Sequence, residues 1–295
     1  MLFKQIEQNK RRTIFLMLLF GALVLGIGAA VGLLLTGDYL SGIILAAIIL
    51  GFYLPITYLS ATSQVLSMAG AKEISKADHP MLYNIVEEMA LAARIPMPKV
   101  YIIPDEAPNA FATGIKPENG AVAFTTGLLK RLNREELTGL AAHEIAHIRN
   151  YDIRLMTISI ALVGVIIFIA DIGSRMLFYE RGKRNNKSHP ALYIVALLLI
   201  ILAPLAAQFV HFAVSRNREY LADASAVELT RNPLGLKNAL IKISQSGLDV
   251  KRANEATAAM YIVHPLAQKR RRKYKVHWFA THPPIESRIE RLEQM

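Results

Sequence analysis

Long apolar runs constrain this chain more than any other feature. Residues 14–35 and 40–59 are almost unbroken stretches of aliphatic residues and glycine, separated only by Thr-Gly-Asp-Tyr. A helix of about 22 residues, rising ~1.5 Å per residue, covers a hydrocarbon core of about 30 Å. Each run is therefore long enough to cross a bilayer. A secretory leader would show a shorter apolar core and a small-residue cleavage site, so the pair reads as a two-span hairpin. Lys4, Lys10, Arg11 and Arg12 precede the first span, and such charge stays on the cytoplasmic side. The chain after Ser60 then returns to the cytoplasm. Two further apolar runs, 155–170 and 191–214, suggest a second hairpin. The expected organisation is a membrane hairpin at 1–60, a first catalytic part at 61–152, a second hairpin at 153–214 and a second catalytic part at 215–295. Only 19% of residues are charged, against about 25% in soluble domains, as expected for an α-helical multi-pass membrane protein.

The absence of cysteine excludes disulfides, Cys-ligated zinc and iron–sulfur clusters. The net charge of +11 fits contact with anionic lipid. No compact basic unit interleaved with aromatics is present, so nucleic-acid binding is not expected.

The polar segments carry periodic signals. Residues 78–95 have helical spacing, with His79 as a cap before Pro80. Lys-Val-Tyr-Ile-Ile at 99–103 reads as a strand. Residues 109–114 and 120–126 read as two more, with Lys-Pro-Glu-Asn-Gly as the turn between them. Asn133 followed by Glu136 is a capping box opening a helix. Residues 215–230 form a further helix by periodicity, and Arg288 lies one to two turns into another.

Residues 140–152 read Leu-Ala-Ala-His-Glu-Ile-Ala-His-Ile-Arg-Asn-Tyr-Asp. Helical spacing places His143 and His147 on one face, where both imidazoles can reach one zinc ion. Zinc takes such ligands at about 2.0–2.1 Å, commonly in four-coordinate geometry. Glu144 is offset around the helix, where it could reach a water at the metal; a bound zinc would acidify that water, and the carboxylate could take its proton for attack on a peptide carbonyl and return it to the leaving nitrogen. The plain alternative is a core helix holding polar residues by chance. Unpartnered buried polar groups cost about 1–3 kcal/mol each, and a metal removes that cost.

A catalytic zinc needs a third protein ligand and an open position. A third histidine six residues on is absent, since Ile153 stands there, and position 150 is Asn150. Arg-Asn-Arg-Glu-Tyr-Leu-Ala-Asp-Ala-Ser-Ala supplies Glu219, with Asp223 one turn later. Asp223 can accept a hydrogen bond from a ligand histidine and fix its tautomer. A solvated acidic face is the alternative, and the surrounding Leu221, Ala222, Ala224 and Ala226 argue against it.

Together with Pro-Asn-Ala-Phe-Ala-Thr-Gly (108–114) and Thr-His-Pro-Pro-Ile-Glu-Ser-Arg-Ile (281–289), these motifs stand in an order that resembles the HtpX heat-shock family of membrane zinc metalloproteases. The CAAX prenyl proteases are broader relatives. The resemblance covers nearly the whole chain. It implies a mainly α (α+β) gluzincin-type domain with a small β-sheet, one Zn2+ per subunit, ligands His143, His147 and Glu219, and Glu144 as base. It also implies an ATP-independent endopeptidase in the cytoplasmic membrane, with its site on the cytoplasmic side. Such an enzyme clears damaged or misfolded membrane proteins under stress. A prenyl-peptide protease and a non-catalytic zinc-stabilised scaffold are the alternatives.

Substrate is expected as an added strand along residues Asn109, Ala110 and Phe111, with Asn109 either holding its backbone or making a turn after Pro108. His282, before two prolines, is either an oxyanion stabiliser or a loop cap. The second hairpin is expected to span, with the loop around Asn186 outside; a re-entrant hairpin is the alternative.

Overall fold

The computed structural model describes residues 2–163, 216–253, 257–265 and 283–295. The first two apolar runs form α1 (Leu2–Thr36) and α2 (Tyr39–Ala69). Both are long and apolar enough to cross a bilayer. The reversal between them uses Gly37 at φ 74° and Asp38, whose carboxylate accepts from the N–H groups of Leu40 and Ser41. Gly28, Gly32 and Gly42 bring the two backbones together, and a Cβ on Gly42 would overlap the Gly28 carbonyl. Close approach of this kind drives helix association where lipid removes the hydrophobic incentive. Ile14, Phe15, Leu18, Ile44, Phe52, Ile56 and Leu59 point outward and form the apolar surface that lipid covers.

The expected boundary near residue 60 falls inside a continuous helix. α2 runs through Pro55 and past Ser60 to Ala69. Its last turns leave the apolar surface behind: Val65, Leu66 and Ala69 pack against Ile103, Phe111 and Tyr261. The polar part therefore grows directly out of a membrane helix, with no linker.

That polar part is built on a four-stranded sheet of β1 (Lys72–Glu73), β2 (Lys99–Ile103), β3 (Ala110–Thr113) and β4 (Ala121–Thr125). The order is β1-β2-β4-β3. β2 and β4 run parallel, with Lys99 opposite Ala121. β3 pairs antiparallel with β4, with Ala110 opposite Phe124, and forms one edge. Around the sheet lie α3 (Pro80–Ala93), α4 (Thr126–Arg131) and α5 (Arg134–Arg149). After α5 comes α6, helical over 152–163. Then follow α7 (Arg216–Thr230), α8 (Pro233–Gln245) and α9 (Ile285–Glu293).

The principal core joins Leu82, Ile85 and Val86 of α3, Val122 and Phe124 of β4, Leu137, Leu140 and Ile145 of α5, Leu236 and Leu240 of α8, and Leu292 of α9. The three longer strands match the expected ones, and His79 caps α3 by accepting from the Leu82 N–H at 3.2 Å. β1, α4 and α8 were not anticipated. β1 has only 2 residues, too few for alternation to register. In α6, Leu155, Ile158 and Leu162 pack against Leu16, Phe20 and Leu50 of the first hairpin. The rest of the expected second hairpin lies outside the described residues.

Candidate active site

α5 is the helix on which the site is built. Asn133 caps it by accepting from the Glu136 N–H at 2.9 Å, and the Glu136 carboxylate accepts from the Asn133 N–H at 2.9 Å. Asp or Asn caps of this kind contribute about 1 kcal/mol and fix the helix phase. With the phase fixed, His143 and Glu144 are both buried, at 1% and 2% exposure.

Each histidine has its own carboxylate. His143 Nδ1 lies 3.0 Å from Asp223 Oδ1, and His147 Nδ1 lies 3.2 Å from Asp152 Oδ2. With both Nδ1 atoms so engaged, the two Nε2 atoms turn toward a common point and stand 3.1 Å apart. Glu219 of α7 closes the third side, with its oxygens 3.8 Å from His143 Nε2 and 3.6 Å from His147 Nε2. Ligands at about 2.05 Å in tetrahedral array sit roughly 3.4 Å apart, and the three observed separations bracket that value. The donor set of two imidazoles and one carboxylate, all with ligand atoms within 4.8 Å of one another, fits a single divalent ion. Three such ligands leave a fourth position open, as catalytic sites require.

Arg288 anchors this arrangement from behind. It is fully buried and grips Asp223 with two bonds, Nε to Oδ2 at 2.9 Å and Nη2 to Oδ1 at 2.6 Å. It also donates to the Ile262 carbonyl at 3.1 Å. A two-pronged guanidinium–carboxylate pair adds geometric specificity as well as attraction. Burial of Asp223 would raise its pKa, but the Arg288 charge and the His143 hydrogen bond hold it below the usual carboxylate value.

The titrating groups are driven apart. Burial pushes the Glu144 carboxyl up to about 7, with the Glu219 charge adding to that rise. Burial takes His143 down to about 4, against the hydrogen bond it donates to Asp223. Burial would lower His147 as well, but Asp152, Glu219 and Glu144 raise it to about 9. A carboxyl poised near neutrality beside two metal-binding imidazoles is suited to take up and release one proton.

The backbone N–H of Ala112 donates to the Glu144 carboxylate. Because the Thr125 N–H donates to the Asn109 carbonyl, residues 109, 111 and 113 turn their backbone groups toward β4. Residues 110 and 112 then face the other way. Ala110 is already covered, its carbonyl accepting from Ile262 at 3.0 Å. Ala112 lines a cleft with Glu144, His147 and Glu219, whose apolar wall is Ile153, Met156, Ala259 and Met260.

Among the residues expected to bind substrate, Asn109 and Phe111 do not line this cleft. The Asn109 Nδ2 donates to the Val263 carbonyl at 2.8 Å, and its Oδ1 accepts from the Ala110 N–H at 3.1 Å. Phe111 packs edge-on against Tyr261 with centroids 5.2 Å apart. Both tie β3 to the 257–265 segment, and the exposed register of the strand falls one residue later, at Ala112. His282 lies outside the described residues. Sequence reasoning missed Asp152 and Ala112 and left Arg288 without a role.

A sequence profile described as Peptidase family M48 matches residues 76–295. The chain belongs to peptidase family M48. Relatives within it include "Protease HtpX homolog" from Listeria monocytogenes serotype 4a, 53% identical over 100% of both chains. The protein of the same name from Streptococcus uberis is 52% identical, again over 100% of both. This M48 chain is a metalloprotease of the HtpX type, and His143, His147 and Glu219 are placed where they could hold its metal. Its fold also matches the crystal structure of S. mikatae Ste24p, with TM-score 0.50, 22% identity, and coverage of 99% of this chain and 67% of that one.

Proposed function

We propose that this M48 chain is a zinc-dependent endopeptidase of the cytoplasmic membrane that cleaves unfolded or damaged membrane proteins without ATP. The carrying observation is the convergence of His143, His147 and Glu219 around one point beside the buried Glu144. Zinc, when bound, supplies Lewis acidity to the scissile carbonyl. The remaining steps fall to the protein. An extended substrate adds as a strand along the outer edge of β3, donating to the Ala112 carbonyl, so that affinity comes from main-chain bonds and little sequence is demanded. Such tolerance suits a quality-control enzyme. Glu144 takes a proton from the attacking water and returns it to the leaving nitrogen. Asp223 and Asp152 keep the Nδ1 protons of the histidines in place. The basic residues before the first span favour a cytoplasmic site.

The test is cleavage of casein and of an unfolded model membrane protein by the detergent-solubilised chain, with zinc, with chelator, and without ATP. Cleavage that returns on zinc addition is the expected result. Cleavage that survives complete chelation, or that needs ATP, would overturn the proposal. A farnesylated tripeptide-ended substrate belongs in the same assay, because the resemblance of the motifs to the CAAX prenyl proteases makes prenyl-peptide hydrolysis the rival activity. Cleavage confined to that substrate would replace this reading.

A further inference from the structure

The first membrane helix reaches into the metal centre. Asn9 in α1 is 2% exposed, although it sits beside the exposed Gln8 and Lys10. Its Nδ2 donates to Asp152 Oδ1 at 2.7 Å, and the other oxygen of that carboxylate faces His147 Nδ1 at 3.2 Å. Its Oδ1 accepts from Arg218, the neighbour of Glu219, at 3.5 Å. One amide thus touches the carboxylate behind His147 and the residue next to Glu219 in the chain. The turn between α5 and α6 that aims Asp152 is itself unusual. Tyr151 there takes φ 59°, a left-handed conformation that a bulky residue adopts only when its surroundings hold it. Lys10 of α1 also reaches this turn, its ammonium 4.9 Å from the Tyr151 ring centroid.

We infer that Asn9 is a positioning residue of the peptidase, acting on His147 through Asp152. The inference rests on the reading of His143, His147 and Glu219 as metal ligands. With its second oxygen satisfied by Asn9, Asp152 is held at one rotamer and presents the first oxygen to His147. Without Asn9, that carboxylate can turn toward Arg218, and the His147 ring loses its fixed tautomer. Partners of ligand histidines typically govern metal affinity by about 10- to 100-fold.

The experiment measures zinc affinity of the full-length detergent-solubilised chain by competition with a chromophoric chelator, and the visible spectrum of the cobalt(II)-loaded chain. Variants are Asn9→Ala, Asp152→Ala, their double, Glu219→Ala, and Gln8→Ala as the surface control. Asn9→Ala is expected to weaken zinc binding about 10-fold or more and to alter the cobalt spectrum, with Gln8→Ala unchanged. In the Asp152→Ala background, Asn9→Ala should add less than about 2-fold, because linked residues are not additive. If Asn9→Ala does not accumulate as folded protein, the isosteric Asn9→Asp carries the same expectation, since it places an acceptor against Asp152. Wild-type zinc affinity in a folded Asn9 variant would overturn the inference and leave the ligand reading intact. An Asn9 effect that persists in full without Asp152 would do the same. Zinc binding undiminished in Glu219→Ala would overturn the ligand reading, and this inference with it.

Discussion

Glu144 and Arg288 do different work in one buried site, and substitution separates them. Glu144→Gln keeps the shape and the Ala112 contact but cannot take a proton. It is expected to retain metal and lose peptide hydrolysis by about 10²- to 10⁴-fold, read by metal content and casein turnover on one preparation. Full turnover there would end the general-base role. Arg288→Met leaves Asp223 buried without its partner, which costs about 3–5 kcal/mol in such pairs. A lower melting temperature together with weaker metal binding is expected, whereas unchanged melting would show that the pair does not support the fold. His147 gives a pH signature in the metal-free chain. Its folded value of about 9 lies above the ordinary 6.5. A raised folded value means the stabilisation is complete below about 6.5 and is lost as pH rises through about 9. Melting of the chelator-stripped chain should fall across that window, and His147→Gln should flatten the slope; an equal slope in both would assign it elsewhere. His143, Glu144 and His147 were readable in the sequence because one helix turn holds all three. Asp152 and Arg288 were not. Arg288 meets Asp223 across 65 residues of chain, and Asp152, though only five residues after His147, reaches it through a turn in which Tyr151 takes φ 59°, so no helical period records either meeting.

Two elements carry the geometry, the α1–α2 hairpin and the ligand helix α5. The hairpin depends on backbone contact at glycines, and position decides which of them matter. Gly42→Leu would drive a side chain into the Gly28 and Gly32 backbones, while Gly51 has open space around it. Overpacking costs about 1–3 kcal/mol, so Gly42→Leu is expected to lower thermal stability and raise protease sensitivity, and Gly51→Ala to change neither. Equal behaviour of the two would show that the helices do not meet as described. The long elements were legible: α1 and α2 by apolar length, α5 by its capping box, and β2 and β4 by β-branched residues between turn signals. Strand β3 was legible as a strand but not in its register toward the cleft. That register is set by the Asn109–Thr125 bond on one side and by Ile262 on the other, neither of which is a local property.

At the scale of the molecule, α5 and α7 carry the three proposed ligands from either side of residues 153–214, so the two ends of that segment lie on one side of any membrane. If that segment spans twice, the loop around Asn186 is outside. The chain has no cysteine, so Asn186→Cys reports on this directly. Labelling by a membrane-impermeant maleimide in intact cells, stripped of wall or outer membrane where needed, is the expected outcome. Labelling only after the membrane is opened would make the segment re-entrant. The remaining consequence concerns time. A ribosome makes Asn9 first, then His143 and His147, then Glu219 and Asp223, and Arg288 last of all. Before Arg288 emerges, Asp223 has no guanidinium to grip, and the carboxylate behind His143 is without its anchor. By then every apolar segment has already been offered to the bilayer. On the proposed roles, hydrolytic competence waits for α9, the last of the described helices to be made, and a chain still being translated carries an unfinished blade.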